Sequence, residues 1–168
     1  MKPIVKLTLL TLLFVSVSGA CMSIPSLNPF KKEVVLMSPL KGTLLKGGEP
    51  LANVDLRVEI LMPDGERRPY HHKTDNNGYF DLPVITDTMT MGPMTEFAVS
   101  QWVYAIVDGN DVEVWVAGKR SEKLYGEFTY EPGEFLGLTC DINDPSNDDA
   151  AEEGSILTIC KWTEIRRV

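Results

Sequence analysis

Alternation of apolar and polar side chains is the feature that most restricts how this chain can fold. In the segment Val54–Met62, positions 54, 56, 58 and 60 are aliphatic, whereas Asp55, Arg57 and Glu59 are charged. Successive side chains of a strand point to opposite faces, so this period of two predicts a strand with one buried face. Pro63-Asp64-Gly65 then predicts a turn, since proline fixes φ and glycine supplies a positive φ. We expect the segment Arg67–Thr74 to return antiparallel.

The same pattern of short strands and turns recurs along the rest of the chain. Asp75-Asn76-Asn77-Gly78 and Asp108-Gly109-Asn110-Asp111 have the composition of tight hairpin turns. Only Ala150–Glu153 has the composition of a helical turn. The further expected strands are Glu33–Ser38, Tyr79–Leu82, Phe97–Val107, Val112–Ala117, Leu124–Tyr130, Phe135–Cys140 and Ile156–Ile165. Many short strands separated by turns predict an all-β, antiparallel β-sandwich.

Residues 40–82 resemble the carboxypeptidase-regulatory-like, or transthyretin-like, β-sandwich domains. The resemblance rests on Gly42 in an opening strand, on Pro50-Leu51-Ala52-Asn53-Val54, and on the segment from Thr74 to Leu82. In that family such a segment is a strand, a tight turn and a strand, with the aromatic residue after the glycine in the core. The resemblance implies an Ig-like or transthyretin-like sandwich, and it implies no particular activity, because these modules are scaffolds with many roles.

The first twenty residues have the layout of a secretory signal peptide. Lys2 and Lys6 come before an apolar run from Leu7 to Val17, and small residues then lead to Cys21. The run is too short to span a bilayer comfortably. Ser18-Gly19-Ala20-Cys21 also resembles the bacterial lipobox, in which the cysteine is acylated, although Ser18 stands where that motif usually has an apolar residue.

These features predict three regions. We expect a signal peptide, as a helix, over residues 1–20, a lipidated N terminus and tether over residues 21–32, and a single β-sandwich domain over residues 33–168. The alternative is ordinary cleavage after Ala20, which leaves Cys21 unmodified. The expected location is the bacterial cell envelope, with a lipid anchor on the periplasmic side of the outer membrane.

Two cysteines remain once Cys21 is assigned to the lipid. An exported chain faces oxidising conditions, so Cys140 and Cys160 are expected to form a disulfide. Two free thiols, or a pair of metal ligands, are the alternatives. A metal site needs more ligands at short spacing, and the sequence has no C-x-x-C motif.

The charge of the chain restricts its partners. The net charge of −8 becomes −10 without the first twenty residues, which hold two lysines and no acidic residue. An acidic protein is a poor candidate for binding nucleic acid. We expect a membrane contact through the N-terminal lipid and a protein partner that the sequence does not identify.

Catalytic motifs are absent from the sequence. It has no G-x-S-x-G, no H-E-x-x-H and no P-loop. His71 and His72 are adjacent in an expected strand, so they point to opposite faces and do not easily bind one metal ion. We expect no enzymatic activity and no cofactor; a hydrolase that uses His71 or His72 is the alternative.

Two segments are candidates for binding. The acidic loop after Cys140, with Asp141, Asp144, Asp148 and Asp149, offers oxygen ligands of the kind that calcium prefers, but its spacing departs from an EF-hand. We therefore expect no metal site there and treat this loop as a candidate partner-binding loop. Trp102, Tyr104, Trp115 and Trp162 are expected in the core, or else on an exposed face that binds a protein or a glycan.

The sequence thus predicts a non-enzymatic envelope lipoprotein that presents a β-sandwich for binding or for envelope architecture. An immunity protein that neutralises a toxin delivered into the periplasm is the second hypothesis. Small size, export, acidic charge and a constrained loop all permit that function.

Overall fold

The computed structural model describes residues 29–127, 132–146 and 155–168, and these ranges form fourteen β-strands. They contain no helix long and apolar enough to cross a membrane. The strands are β1 (Lys31–Met37), β2 (Leu40–Lys46), β3 (Glu49–Pro50), β4 (Asp55–Leu61), β5 (Arg67–Lys73), β6 (Tyr79–Leu82), β7 (Ile85–Thr90), β8 (Val99–Val107), β9 (Asn110–Lys119), β10 (Gly133–Leu136), β11 (Leu138–Asp141), β12 (Ser155–Thr158), β13 (Cys160–Lys161) and β14 (Glu164–Arg167). The prediction of an all-β protein is confirmed for the described residues.

One five-stranded antiparallel sheet, which we call the long sheet, has the strand order β12-β9-β8-β4-β5. Every second residue of β8 is buried from Val99 to Val107, as period-two alternation requires. The expected return of the chain after Val54–Met62 is confirmed, because β4 pairs antiparallel with β5. Strands β8 and β9 form the expected hairpin around Asp108 and Gly109, both of which have positive φ.

The second sheet, which we call the short sheet, is built around β2. On one edge β2 pairs antiparallel with β6 and β3, and on the other edge it pairs in parallel with β11, which also pairs antiparallel with β13. The expectation of a wholly antiparallel arrangement is therefore wrong at one pair of strands. Strand β11 comes after the chain has passed through the long sheet, so no tight turn joins it to β2 and fixes an antiparallel direction.

Both sheets bury one face in a common hydrophobic core. Leu44 and Phe80 of the short sheet belong to the same cluster of buried side chains as Val58 and Val103 of the long sheet. Phe80 is 2% exposed and enters the core, whereas Tyr79, the aromatic residue directly after Gly78, is 42% exposed. The chain also crosses from the long sheet to the short sheet at Ile159, the single residue between β12 and β13. The Ile159 N–H donates a hydrogen bond to the Val114 carbonyl.

Several expected boundaries are corrected by the structure. Residues 124–127 of the expected strand Leu124–Tyr130 form a turn, in which Tyr125 has a φ of 56°, and residues 128–130 lie outside the described ranges. The expected strand Phe135–Cys140 is divided at Gly137, which has a φ of 63°. The expected strand Ile156–Ile165 is divided into β12, β13 and β14.

Other differences concern connections and added strands. The turn at residues 75–78 is not a hairpin, because it joins β5 of the long sheet to β6 of the short sheet. Strand β7 pairs with β1 in a two-stranded ribbon, and β10 pairs with β14 in another; neither ribbon was expected. Strand β1 begins at Lys31, two residues before the expected start. The signal helix and the turn Ala150–Glu153 lie outside the described residues.

Candidate functional site

Of the three cysteines, the structure describes two. Cys140 of β11 and Cys160 of β13 are directly opposite each other in the ladder and form a disulfide with an S–S distance of 2.02 Å. The bridge attaches the two-residue strand β13 to the short sheet. Cys21, the expected lipidation site, lies outside the described residues.

The acidic loop is anchored by its own first residue. The Asp141 Oδ1 atom accepts hydrogen bonds from the backbone N–H groups of Gly47 at 2.9 Å and Asn143 at 3.0 Å, and Oδ2 accepts one from Gly48 at 2.6 Å. These bonds, first that from Asn143, lower the pKa of Asp141. Its carboxylate thus fastens the turn between β2 and β3.

The rest of that loop is only partly described. The Asp144 carboxylate forms an ion pair of 2.7 Å with Lys161, and Asp148 and Asp149 lie outside the described residues. Within the described ranges no group of three or more His, Cys, Asp or Glu side chains is arranged to hold a metal ion. Asp141 and Asp144 therefore already have intramolecular partners, and any binding by this loop stays a prediction.

The two histidines lie on opposite faces of the edge strand β5. His71 is exposed and pairs across the sheet with Arg57, whereas His72 is half-buried and pairs with Leu56. A cleft of about 340 Å³ lies at the end of the long sheet, and it is lined by other residues, among them Met62, Ser100 and Arg120. The structure does not bring the histidines to this cleft.

A buried polar cluster that was not among the predicted sites lies between the long sheet and the segment that follows β9. Glu127, which is 5% exposed, accepts hydrogen bonds from the Ser38 N–H at 2.9 Å and the Ser38 hydroxyl at 2.8 Å. Its Oε1 atom also accepts one from Gln101 at 3.3 Å and lies 3.3 Å from the ammonium of Lys119. Burial lowers the pKa of Lys119, and Glu127 partly opposes that shift.

Part of this cluster could have been found from the pattern of β8. Gln101 and Lys119 occupy core-facing positions in β8 and β9, where the neighbours on the same face are apolar. A polar residue on the apolar face of a strand signals a buried hydrogen-bond network. Glu127 gives no such signal, because it lies beyond the strands in an irregular segment.

The cluster borders a cavity that is too small for a substrate. The cavity has a volume of about 10 Å³, which is room for about one water molecule. Ser38, Gln101, Glu127 and Trp115 line it together with apolar side chains. The Ser38 hydroxyl oxygen accepts a hydrogen bond from the Tyr125 N–H at 2.7 Å, and the hydroxyl hydrogen is donated to Glu127. The hydroxyl group is therefore fully engaged within the protein. This arrangement holds the segment 120–127 against the sheets.

The four aromatic residues singled out in the sequence do not form one surface. Trp102 and Tyr104 are half-buried on the outer face of β8, whereas Trp115 is 1% exposed and belongs to the core. A β-bulge causes the difference: Val103 pairs with Trp115 and Tyr104 with Glu113, so that Val114 is an extra residue in β9. Trp162 packs edge-on against Phe135, with ring centroids 5.0 Å apart, and Phe135 also contacts Trp115.

The outer face of the long sheet combines aromatic rings with arginines. The Arg67 guanidinium lies 4.7 Å from the centre of the Trp102 ring, and the Arg57 guanidinium lies 4.9 Å from that of Tyr104. At these distances each arginine is attracted to the π-face of the ring. We use the term arginine–aromatic face for these four residues together with Glu59.

Ion pairs hold the two arginines of this face in place. Glu59 accepts hydrogen bonds from Arg57 Nε at 2.9 Å and from Arg67 Nη1 at 3.1 Å, which links the two stacks. Arg57 also forms an ion pair with Asp111, and that contact is the main reason why the pKa of Arg57 is raised. The Arg67 side chain is 54% exposed, whereas that of Arg57 is 27% exposed. Both arginines are thus held in place, and Arg67 is the more accessible of the two to solvent.

These features define an all-β, disulfide-bonded domain with an internal polar cluster and an exposed arginine–aromatic face. The chain belongs to the family described as Domain of unknown function (DUF6795), whose model matches residues 40–145. No curated protein and no solved structure matches the chain. The matched residues extend from β2 to β11 and include the whole arginine–aromatic face, whereas Cys160 lies beyond them.

Proposed function

We propose that this protein is a non-enzymatic, lipid-anchored protein of the bacterial envelope that binds a protein partner through the arginine–aromatic face. The observation that carries the proposal is the stacking of Arg57 and Arg67 on two half-buried aromatic rings of the outer sheet face. Trp, Tyr and Arg are the residue types enriched among those that dominate protein–protein binding energy. Because Glu59 already orders Arg57 and Arg67, a partner would bind these arginines with little further loss of conformational entropy.

A protein partner suits this face better than a glycan. Sugars stack on open aromatic faces, but a guanidinium already covers part of the Trp102 ring and part of the Tyr104 ring. The exposed Arg67 offers further N–H groups that can pair with a carboxylate of the partner.

The envelope location is supported by the sequence and by the disulfide. The first twenty residues have the signal layout, Cys21 follows them, and a bridge between Cys140 and Cys160 is typical of oxidising compartments. For the fold, we propose the Ig-like or transthyretin-like sandwich. Support comes from two sheets that share one core and from the passage Thr74–Leu82, whose turn is followed by the buried Phe80.

Capture from a bacterial envelope extract tests the proposed binding. The full chain serves as bait beside the variants Trp102→Ala and Arg67→Glu, with Glu49→Gln in the exposed strand β3 as a surface control outside both the face and the acidic loop. We expect one partner to be retained by the chain and by the control, and lost from both face variants. A partner retained equally by all four baits would contradict the role of the face.

The same experiment also tests the hypothesis that this protein is an immunity protein. A captured protein that is toxic to cells lacking this chain would indicate that the binding neutralises a toxin.

Fatty-acid labelling tests the lipid anchor independently. We expect label in the parent chain and none in Cys21→Ser. Equal labelling of the two would show that the anchor is not attached at Cys21.

A further inference from the structure

The methionines of the described residues are concentrated at one place. Three of the five, Met89, Met91 and Met94, fall within six consecutive residues, and the other two, Met37 and Met62, are buried in the core. Met94 is 97% exposed, the highest value among the exposed large apolar side chains of the described chain. Met89 and Met91 pack with part of their surface against the hydrophobic core, whereas Met94 belongs neither to the core nor to the arginine–aromatic face.

The backbone brings the three side chains to the end of the β1–β7 ribbon. Met89 and Met91 are two residues apart on an extended strand and are both half-buried, whereas Thr88 and Thr90 are exposed, so the two methionines share a face. The Met91 N–H donates to the Phe30 carbonyl at 2.8 Å, which extends the pairing of the ribbon past β7.

A tight turn follows Met91 and presents Met94 to solvent three residues further along the chain. The Thr95 N–H donates to the Gly92 carbonyl at 3.0 Å, and the Thr95 hydroxyl accepts from the Gly92 N–H at 3.1 Å. Pro93 stands between them and restricts φ. The turn is therefore fixed by two hydrogen bonds and a proline, while the Met94 side chain is free to move in solvent.

Three thioethers on a fixed backbone have a defined coordination chemistry. The thioether sulfur is a soft, neutral ligand that favours Cu(I) over hard cations, and the unbranched methionine side chain adapts its rotamer to bring the sulfur to a metal. We propose that Met89, Met91 and Met94 form a binding site for a soft monovalent cation, Cu(I) or its analogue Ag(I). The proposal does not depend on the lipid anchor or on the protein partner.

Thioether ligands make a distinctive prediction about pH. They carry no proton that must leave before the metal binds, in contrast to cysteine and histidine. Binding at the methionine cluster is thus insensitive to pH, whereas a site built from imidazole or thiolate ligands loses affinity as its ligands gain protons.

Silver titration of the purified chain tests the site. The chain carries Cys21→Ser so that no thiol competes, the buffer contains nitrate and no chloride, and Ag(I) needs no reductant that would open the disulfide. We expect about one ion per chain by calorimetry, and NMR shifts of the methyl groups of Met89, Met91 and Met94 but not of Met37 and Met62. The affinity should be the same at about pH 5.5 and about pH 7.5. Cu(I), supplied under anaerobic conditions, should displace the silver.

Matched variants decide whether the methionines are the ligands. Met94→Leu keeps the volume and removes one sulfur, so we expect about a tenfold or larger loss of silver affinity, whereas Met62→Leu should leave it unchanged. Binding that survives Met89→Leu/Met91→Leu/Met94→Leu, or that disappears in His71→Ala/His72→Ala, would overturn the proposal. So would the absence of methyl shifts at saturating silver, which would leave the cluster as an apolar surface only.

Discussion

Glu127 illustrates how one side chain can join distant parts of the chain. It accepts hydrogen bonds from both donors of Ser38, which lies between β1 and β2 in the chain, and it faces Gln101 and Lys119 of the long sheet. The Lys119 ammonium also donates a hydrogen bond to the Lys123 carbonyl at 2.7 Å, so it contacts both the Glu127 carboxylate and a backbone carbonyl. A buried pair of this kind is weak evidence for net stability, but removing one partner leaves the other charge buried and uncompensated.

We predict that Glu127→Gln lowers the free energy of unfolding by about 3–5 kcal/mol at neutral pH, because it leaves the Lys119 cation without its counter-charge. The pKa of Lys119, already lowered by burial, falls further in this variant. The folded state then binds fewer protons than the unfolded state at pH values below the ordinary lysine pKa, so stability rises with pH in that range. The deficit relative to the parent chain should therefore shrink toward about pH 10.

Urea unfolding at neutral pH and at about pH 9.5 measures this dependence. In the control Lys119→Met/Glu127→Gln neither charge of this pair remains. The double variant should therefore be more stable than Glu127→Gln, and its stability should not rise between neutral pH and about pH 9.5 as that of Glu127→Gln does. A deficit of the same size at both pH values would show that the loss comes from hydrogen bonds alone.

The residues of this cluster also show what sequence reasoning can reach. Gln101 stands at a core-facing position among Val99, Val103 and Ala105, and that conflict is readable from the alternation of β8. The role of its partner Glu127 cannot be predicted in this way, because an irregular segment, in which Tyr125 has a left-handed φ, brings Glu127 to the cluster. A tertiary contact of that kind has no periodic signal.

At the scale of elements, the turn at residues 75–78 shows how a hairpin-like sequence can serve a different connection. Asp75 accepts hydrogen bonds from the N–H groups of Asn77 and Tyr79, both at 2.8 Å, as in an ordinary tight turn. The following strand nevertheless joins β2 rather than β5, since Phe80 and Leu82 must enter the core between the sheets. The tight turn was thus predictable from the sequence. The strand with which β6 pairs, β2 rather than β5, was not.

Gly78 and Gly109 both have positive φ, of 71° and 79°, yet they differ in their surroundings. A Cβ at position 78 would lie 2.6 Å from the Leu44 carbonyl oxygen, whereas one at position 109 has nothing within 4 Å. We predict that Gly109→Ala costs about 1–2 kcal/mol for the left-handed backbone alone. Gly78→Ala should cost about 1–3 kcal/mol more, because Leu44 is held in its sheet. Urea unfolding of both variants measures the difference, and equal losses would contradict the close approach.

The disulfide acts on one of the two shortest strands of the short sheet. Strand β13 has two residues, and its covalent link to β11 closes a sequence separation of 20 residues. We predict that Cys140→Ala/Cys160→Ala lowers the free energy of unfolding by about 3 kcal/mol, mainly because the unfolded chain regains the entropy of the open loop. Guanidinium unfolding measures the loss, and the parent chain treated with a reductant is the control that should match it. A variant as stable as the parent would show that the ladder alone holds β13.

At the scale of the whole molecule, the long sheet has two faces with different tasks. Its inner face contributes to the core shared with the short sheet, and its outer face carries the arginine–aromatic stacks. The class of fold and the hairpin of β8 and β9 followed from alternation and turn residues. The assignment of the tryptophans to faces did not, because one bulged residue, Val114, changes which side of β9 each later side chain occupies.

Two tryptophans test this division of the sheet. Trp115 is enclosed by the core and contacts Phe135 edge-on, with ring centroids 4.9 Å apart, so Trp115→Ala should lower the free energy of unfolding by about 3–5 kcal/mol. Trp102 loses only its outer-face contacts on truncation, and Trp102→Ala should cost about 1 kcal/mol. Urea unfolding of both variants, with unchanged far-ultraviolet circular dichroism for Trp102→Ala, measures the difference. Comparable losses would mean that the outer face is part of the structural core, and would remove the main reason for regarding it as a surface kept for a partner.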